Sequence, residues 1–91
     1  MKNILIITYD LSAPDRNYEG ILKKIKSYGT WAKISESSYL IKTDKTPESV
    51  RDQLLKTIDE DDKLFVGTLV APAAWYGLSE AVSNWILKHL E

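Results

Sequence analysis

The stretch "NILIITYD", residues 3–10, decides the fold of this chain. It is rich in isoleucine and apolar at consecutive positions, which is typical of a central β-strand covered on both faces. It ends in Asp10, and the turn-forming residues of "LSAPDRN" (11–17) follow at once. The sequence therefore predicts a buried strand with Asp10 at its carboxyl-terminal end.

A helix is predicted next, over residues 16–28, because apolar side chains recur there at helical spacing. The members of this stripe are Tyr18, Ile21, Leu22, Ile25 and Tyr28. Asp15 or Asn17 is a suitable amino-terminal cap, and Gly29 is placed where a helix commonly ends. We expect the stripe to pack against the sheet.

The middle of the chain predicts a hairpin, a second helix and a fourth strand. The segments "TWAKIS" (30–35) and "SSYLIKT" (37–43) have the β-branched and aromatic residues of strands, with only a short turn between them. Thr46 is a suitable cap and Pro47 a suitable first residue for the second helix. The segment "LFVGTLV" (64–70) predicts the fourth strand.

A last helix is predicted after Ser79, which can cap it. Its apolar stripe is Leu78, Val82, Trp85, Ile86 and His89. The predicted order is β-α-β-β-α-β followed by an extra carboxyl-terminal helix. This order predicts an α+β fold, a ferredoxin-like antiparallel sheet, in a single domain over residues 1–91.

Composition restricts the possible functions. Cysteine is absent from the 91 residues, which excludes disulfides, a thiol nucleophile and cysteine-ligated zinc. The net charge is −1, from 12 basic and 13 acidic side chains, whereas dedicated nucleic-acid binders usually carry a positive excess. The first apolar run is too short for a membrane span or a signal peptide, so we expect a cytoplasmic protein without a membrane partner.

Asp10 is the strongest candidate for chemistry, and two interpretations of it stay open. A carboxylate held at a strand end could bind Mg²⁺ or Mn²⁺, and a second Asp10 across a homodimer axis could complete the site. Alternatively, Asp10 only ends a strand and caps the turn after it. The acidic run over residues 59–62 lacks the glycine and the bidentate glutamate of an EF-hand, which favours a solvated turn.

His89, Trp75 and Tyr76 are weaker candidates for a functional role than Asp10. The single histidine, His89, is predicted to lie near the end of the last helix and to interact with the helix dipole. Trp75 and Tyr76 lie in a loop, where they either pack beneath the last helix or form a protein-contact patch. Packing is the interpretation that we favour.

The stretch "TYDLSAPDRNY" (8–18) resembles the CRISPR-associated Cas-two family and its VapD-like relatives, and more closely a group of small bacterial and phage proteins labelled SinR family. The likeness continues through "GTWAKISESSYLIKT" (29–43), "IDEDDKLFV" (58–66) and "AAWYGLS" (73–79). The resemblance implies a ferredoxin-like homodimer. It also implies that Asp10 is the metal-binding and catalytic residue for cleavage of RNA or DNA.

The chain departs from that family in three respects. Cas-two proteins usually carry several arginines after the turn, whereas here Arg16 is followed by Asn17 and Tyr18. They are commonly basic, and this chain is not. The extension that docks their integrase partner is not recognisable in "SEAVSNWILKHLE" (79–91).

Two functions follow as hypotheses. The first is a Cas-two-like homodimer that acts as a metal-dependent nuclease or binds RNA or DNA weakly, with Arg16, Lys23 and Lys24 as the nucleic-acid-binding residues. The second is a non-enzymatic protein-interaction module, related to phage defence or to toxin–antitoxin systems. A ring of lysines around Asp10 would favour the first.

Overall fold

The computed structural model describes residues 2–12 and 18–90. Seven elements follow one another: β1 (Asn3–Asp10), α1 (Glu19–Lys26), β2 (Trp31–Ser35), β3 (Ser38–Thr43), α2 (Pro47–Leu55), β4 (Lys63–Leu69) and α3 (Glu80–His89). The strands form one sheet in the order β2-β3-β1-β4, and all neighbouring strands are antiparallel. The predicted α+β class with an antiparallel sheet is confirmed, and β1 lies between β3 and β4.

The first helix is shorter than its apolar stripe predicts. It begins at Glu19, after Tyr18, whose side chain makes no capping hydrogen bond, and it ends at Lys26. The predicted caps Asp15 and Asn17 lie outside the described residues. Tyr18 and Tyr28 continue the stripe beyond the helix because both pack against the core from positions just outside it.

The other two helices begin as predicted. The Thr46 hydroxyl accepts a hydrogen bond from the Ser49 amide at 3.1 Å, and Pro47 occupies the first turn of α2. The Ser79 hydroxyl accepts from the Val82 amide at 3.2 Å at the start of α3. Each hydroxyl satisfies an amide that has no partner within its helix.

One face of the sheet is covered by α1 and α2. Ile21 and Ile25 of α1 are fully buried, whereas Leu22 is partly buried beside them. The cluster beneath these helices contains Leu5, Ile7, Tyr9, Ile21, Ile25, Tyr39, Ile41, Val50 and Leu54. The odd-numbered side chains of β1 therefore form the main core.

The opposite face is covered in part, by α3 and by the segment over residues 70–79. Ile4, Leu40 and Ile86 are buried there, and Trp75 packs against them while its indole N–H donates to the Ser83 hydroxyl at 3.1 Å. Within residues 2–12 and 18–90, no helix has the length and apolar character needed to cross a membrane.

Candidate functional site

Asp10 is the last residue of β1, and its side chain is exposed. Side chains alternate along a strand, so Asp10 shares the α3 face with Ile4 and Ile6. Its antiparallel partner on β4 is Lys63, which is also exposed. The predicted position of Asp10 at the end of β1 is confirmed, and the alternation of side chains adds which face of the sheet it occupies.

Around Asp10, no helix of the part of the chain that the structure describes covers that face. Thr8 pairs with Phe65 on one side and with Ser38 on the other. We call this region the open half-face, and its members are Thr8, Asp10, Ser38, Lys63 and Phe65. Phe65 is 62% exposed, a large fraction for an aromatic side chain in a sheet. The Ser38 hydroxyl donates to the Thr8 hydroxyl at 3.0 Å, so the floor of the open half-face is polar.

Tyr9 anchors the end of β1 on the other face. Its amide donates to the Ser37 carbonyl at 3.0 Å, and its phenol donates to the Glu36 carbonyl at 3.2 Å. Burial raises the pKa of the Tyr9 phenol, and the neighbouring Tyr39 and Glu36 raise it further. The phenol therefore remains a donor at neutral pH and fixes the strand end against the β2–β3 turn.

The acidic turn before β4 is tied to the chain that leaves β1. One Asp62 carboxylate oxygen accepts from the Ser12 amide at 2.8 Å and from the Ser12 hydroxyl at 3.0 Å. The other oxygen accepts from the Asp59 amide at 2.9 Å. Both oxygens of Asp62 thus hold two loops together, a structural role that agrees with the predicted solvated turn.

The donor set around Asp10 can be compared with the needs of a divalent cation. Mg²⁺ prefers about six oxygen ligands, and protein sites usually provide at least one or two carboxylates. Among the described residues, no group of three or more His, Cys, Asp and Glu side chains could hold a metal ion. One chain offers the single carboxylate of Asp10 on the open half-face, so a metal site there needs ligands from elsewhere.

The predicted basic residues do not gather at Asp10. Lys26, at the end of α1, places its ammonium 4.7 Å from the centre of the Trp31 ring. Trp31 pairs with Ile41, which pairs in turn with Leu5, so this end of α1 lies level with the beginning of β1. Lys23 and Lys24 belong to the same last turn and to the opposite face of the sheet from Asp10. Arg16 lies outside the described residues.

A shallow depression of about 190 Å³ lies beside Asp10. It is lined by Thr8, Tyr9, Asp10, Lys63, Leu64 and Phe65. An aromatic ring, a carboxylate, an ammonium and a hydroxyl therefore border one small concave surface.

Phe65 is the residue that sequence reasoning missed. The run from Lys63 to Gly67 alternates, with Leu64 and Val66 on the core side and Phe65 on the other. This period of two was visible in the sequence and could have placed an aromatic ring on the same face as Asp10.

The two aromatic residues predicted to pack in the loop before α3 differ in the structure. The favoured packing is confirmed for Trp75, which joins the core beneath α3. It is wrong for Tyr76, which is 99% exposed. Gly77 follows with a φ of 82°, so the chain turns sharply just after Tyr76 and leaves its ring in solvent.

His89 lies near the end of α3, as predicted. Its carbonyl accepts from the Lys42 ammonium at 2.6 Å, and its ring centre lies 4.6 Å from that of Trp85. Burial lowers the pKa of the His89 imidazole, and the charges of Lys88 and Lys42 lower it further. These contacts belong to the covered end of the face and not to the open half-face.

Comparisons with protein-family models, with curated proteins and with solved structures find no match for this chain.

Proposed function

We propose that this protein is a cytoplasmic homodimer that binds single-stranded nucleic acid through the open half-face. The observation that carries the proposal is Phe65, an aromatic side chain that is 62% exposed on a sheet face beside a lysine and two hydroxyl groups. Unpaired bases stack on exposed aromatic side chains, because every base has an apolar π-face.

The proposal includes a ferredoxin-like arrangement. The order β2-β3-β1-β4 supports it, because β2 and β3 form a hairpin while α1 and α2 join strands across a single face. In one class of RNA-recognition module, a four-stranded sheet presents aromatic side chains that stack on unpaired bases. Fold alone does not establish function, and Phe65 and its neighbours are the features that favour nucleic-acid binding.

The homodimer is proposed from the sheet edge and the chain length. The outer edge of β4 pairs with no other strand among the described residues. An unpaired edge readily accepts a further strand, and a domain of this size buries only about 60% of its unfolded surface. We expect light scattering at micromolar concentration to give twice the monomer mass, and a mass of 10.4 kDa alone would contradict the homodimer.

Metal-dependent cleavage is proposed only for a dimer that brings two Asp10 carboxylates together. Two such carboxylates would repel one another, and a shared Mg²⁺ or Mn²⁺ would relieve the repulsion. Purified protein is incubated with RNA and with DNA, with each metal, beside the Asp10→Asn variant. Cleavage that the variant retains in full would assign the activity to another residue or to a contaminant.

Binding is tested by fluorescence anisotropy with labelled single-stranded RNA and DNA. Phe65→Ala should weaken binding by about tenfold, since a base stacked on an aromatic side chain contributes about 1–3 kcal/mol. Leu87→Ala is the matched control, because Leu87 is 68% exposed but lies on α3. Absence of binding, or equal binding by Phe65→Ala and the wild type, would contradict the proposal.

A second candidate function is a non-enzymatic protein-interaction module, and Tyr76 favours it. Trp75 anchors the loop while Tyr76 is 99% exposed, and exposed tyrosines are frequent at the centres of protein interfaces. Self-association that Tyr76→Ser abolishes and Phe65→Ala retains, without any oligonucleotide bound, would select this function over the first.

A further inference from the structure

The Phe65 ring is supported on one side by Gly67. A Cβ atom added at Gly67 would lie 3.1 Å from Phe65 Cε1 and 3.5 Å from Cζ, so the ring leans along β4 across the glycine. Glycine permits this close approach because it has no side chain. The ring therefore rests on backbone and is open to solvent elsewhere, as its 62% exposure indicates.

Asp10 lies within reach of a molecule stacked on that ring. Asp10 pairs with Lys63, and Phe65 pairs with Thr8, so Asp10 and Phe65 are diagonal neighbours on adjacent strands. The ring leans toward Gly67, away from Lys63, and Phe65 and Asp10 both line the depression of about 190 Å³. A base above Phe65 can thus present one edge to the Asp10 carboxylate.

The charged groups are available for a ligand. Among the described residues, neither Asp10 nor Lys63 takes part in a side-chain hydrogen bond or ion pair. A carboxylate only accepts hydrogen bonds and has two oxygens, so it matches a pair of adjacent donors. An ammonium beside it matches a phosphate.

We propose that the open half-face binds one unpaired guanine of a single strand, with the base stacked on Phe65 and its N1–H and N2–H groups donated to Asp10. Lys63 contacts the neighbouring phosphate. Guanine is the standard base whose Watson–Crick edge places two donors side by side, whereas uracil and thymine place one donor between two acceptors. The inference rests on the proposed function and names the base that the site recognises.

The effect of charge distinguishes a carboxylate that only repels phosphates from one that recognises a base. Asp10 and the acidic turn repel phosphates, so removal of any carboxylate there should strengthen binding of every strand alike. A base-reading Asp10 behaves differently, because its loss removes the preference for guanine. Asp61→Asn is the matched control: it removes the same charge from the exposed turn that precedes β4.

The experiment measures anisotropy with short labelled strands that differ at one position, which holds guanine, inosine or thymine in a thymine background. Inosine keeps N1–H and lacks the 2-amino group. We expect guanine to be preferred by about tenfold over inosine and thymine, the size of a good bidentate contact. Asp10→Asn should abolish this preference, and Asp61→Asn should retain it.

Four outcomes overturn the inference. Binding without a guanine preference would refute base recognition but leave the proposed function intact, whereas absence of any binding would refute both. A uniform gain for all strands in Asp10→Asn would show that Asp10 only repels phosphate. Free guanosine monophosphate that binds as tightly as the guanine strand would assign the site to a nucleotide and not to a strand.

Discussion

On the α3 face of the sheet, β1 contributes Ile4 and Ile6 to one half and Thr8 and Asp10 to the other. The first half lies beneath α3, where Ile4 is 2% exposed and Ile86 of α3 is 3% exposed. Among residues 2–12 and 18–90, no helix lies above the second half, and Phe65 remains 62% exposed. The same strands therefore form a core at one end and an open surface at the other.

Length and side-chain chemistry explain this difference together. The ten residues of α3 span about 15 Å, whereas the eight residues of β1 span about 26 Å. A helix of that length cannot cover the whole face, and its position follows the apolar side chains. The polar half was left for solvent or for a ligand, which is why a single aromatic side chain there is informative.

The largest difference between the covered half and the open half should appear in the free energy of unfolding. Ile86→Ala removes a buried side chain from the covered half and should lower the free energy of unfolding by about 2–5 kcal/mol. Phe65→Ala in the open half should change it by less than about 1 kcal/mol, because the ring is mostly in water. Urea denaturation checks both variants, and a similar loss for the two would mean that Phe65 is buried in solution.

A smaller effect is expected at the start of α3. Ser79→Ala removes the acceptor of the Val82 amide and should cost about 1 kcal/mol of stability. Thr46→Ala, which removes the equivalent cap from α2 on the opposite face, is the matched control and should cost about the same. If Ser79→Ala is neutral while Thr46→Ala is not, α3 is held by its packing alone.

The sequence predicted the strands and helices of this fold better than it predicted which part of the second sheet face α3 covers. Hydrophobic periodicity located β1 as found, and the other strands within a residue at each end, because apolar patterns reflect burial directly. The first helix was predicted too long, since Tyr18 and Tyr28 match its spacing but pack from outside the helix. Which part of the second face α3 covers depends on tertiary packing, and no local pattern encodes it.

The candidate site was predictable only in part. Asp10 was identified from its place at the end of an apolar run, and its exposure follows from that place. Phe65 was missed although its alternation with Leu64 and Val66 was visible. Lys23 and Lys24 could not be placed relative to Asp10 without the strand register, which puts the end of α1 at the far end of the sheet.

The Gly67→Ala variant should weaken oligonucleotide binding while the free energy of unfolding hardly changes. Gly67→Ala places a methyl group 3.1 Å from the Phe65 ring, and the exposed ring can move aside. We expect stability to stay constant or rise by less than about 1 kcal/mol, since alanine restricts the unfolded chain. Oligonucleotide binding should weaken severalfold because the ring loses its support.

Gly20→Ala is the control for this comparison. Its added methyl group meets Thr57 at an ordinary 3.7 Å, on α1 and away from the open half-face. It should stabilise the helix by about 0.5–1 kcal/mol without altering binding. Unchanged binding in Gly67→Ala, measured by the same anisotropy titration, would mean that the position of the Phe65 ring does not matter.

The smallest effect concerns pH at the covered end of the face. Burial, followed by the charges of Lys88 and Lys42, lowers the pKa of His89 below its ordinary value of 6.5. Between 6.5 and the lowered value the unfolded chain binds a proton that the folded chain does not, so stability falls as the pH falls through this window. Above the window both states hold neutral imidazole and the effect vanishes. Denaturation of the wild type and of His89→Asn, at about pH 7.5 and about pH 5, should give a larger loss on acidification for the wild type. The opposite sign would mean that the Trp85 ring, 4.6 Å away, stabilises the imidazolium more than burial opposes it.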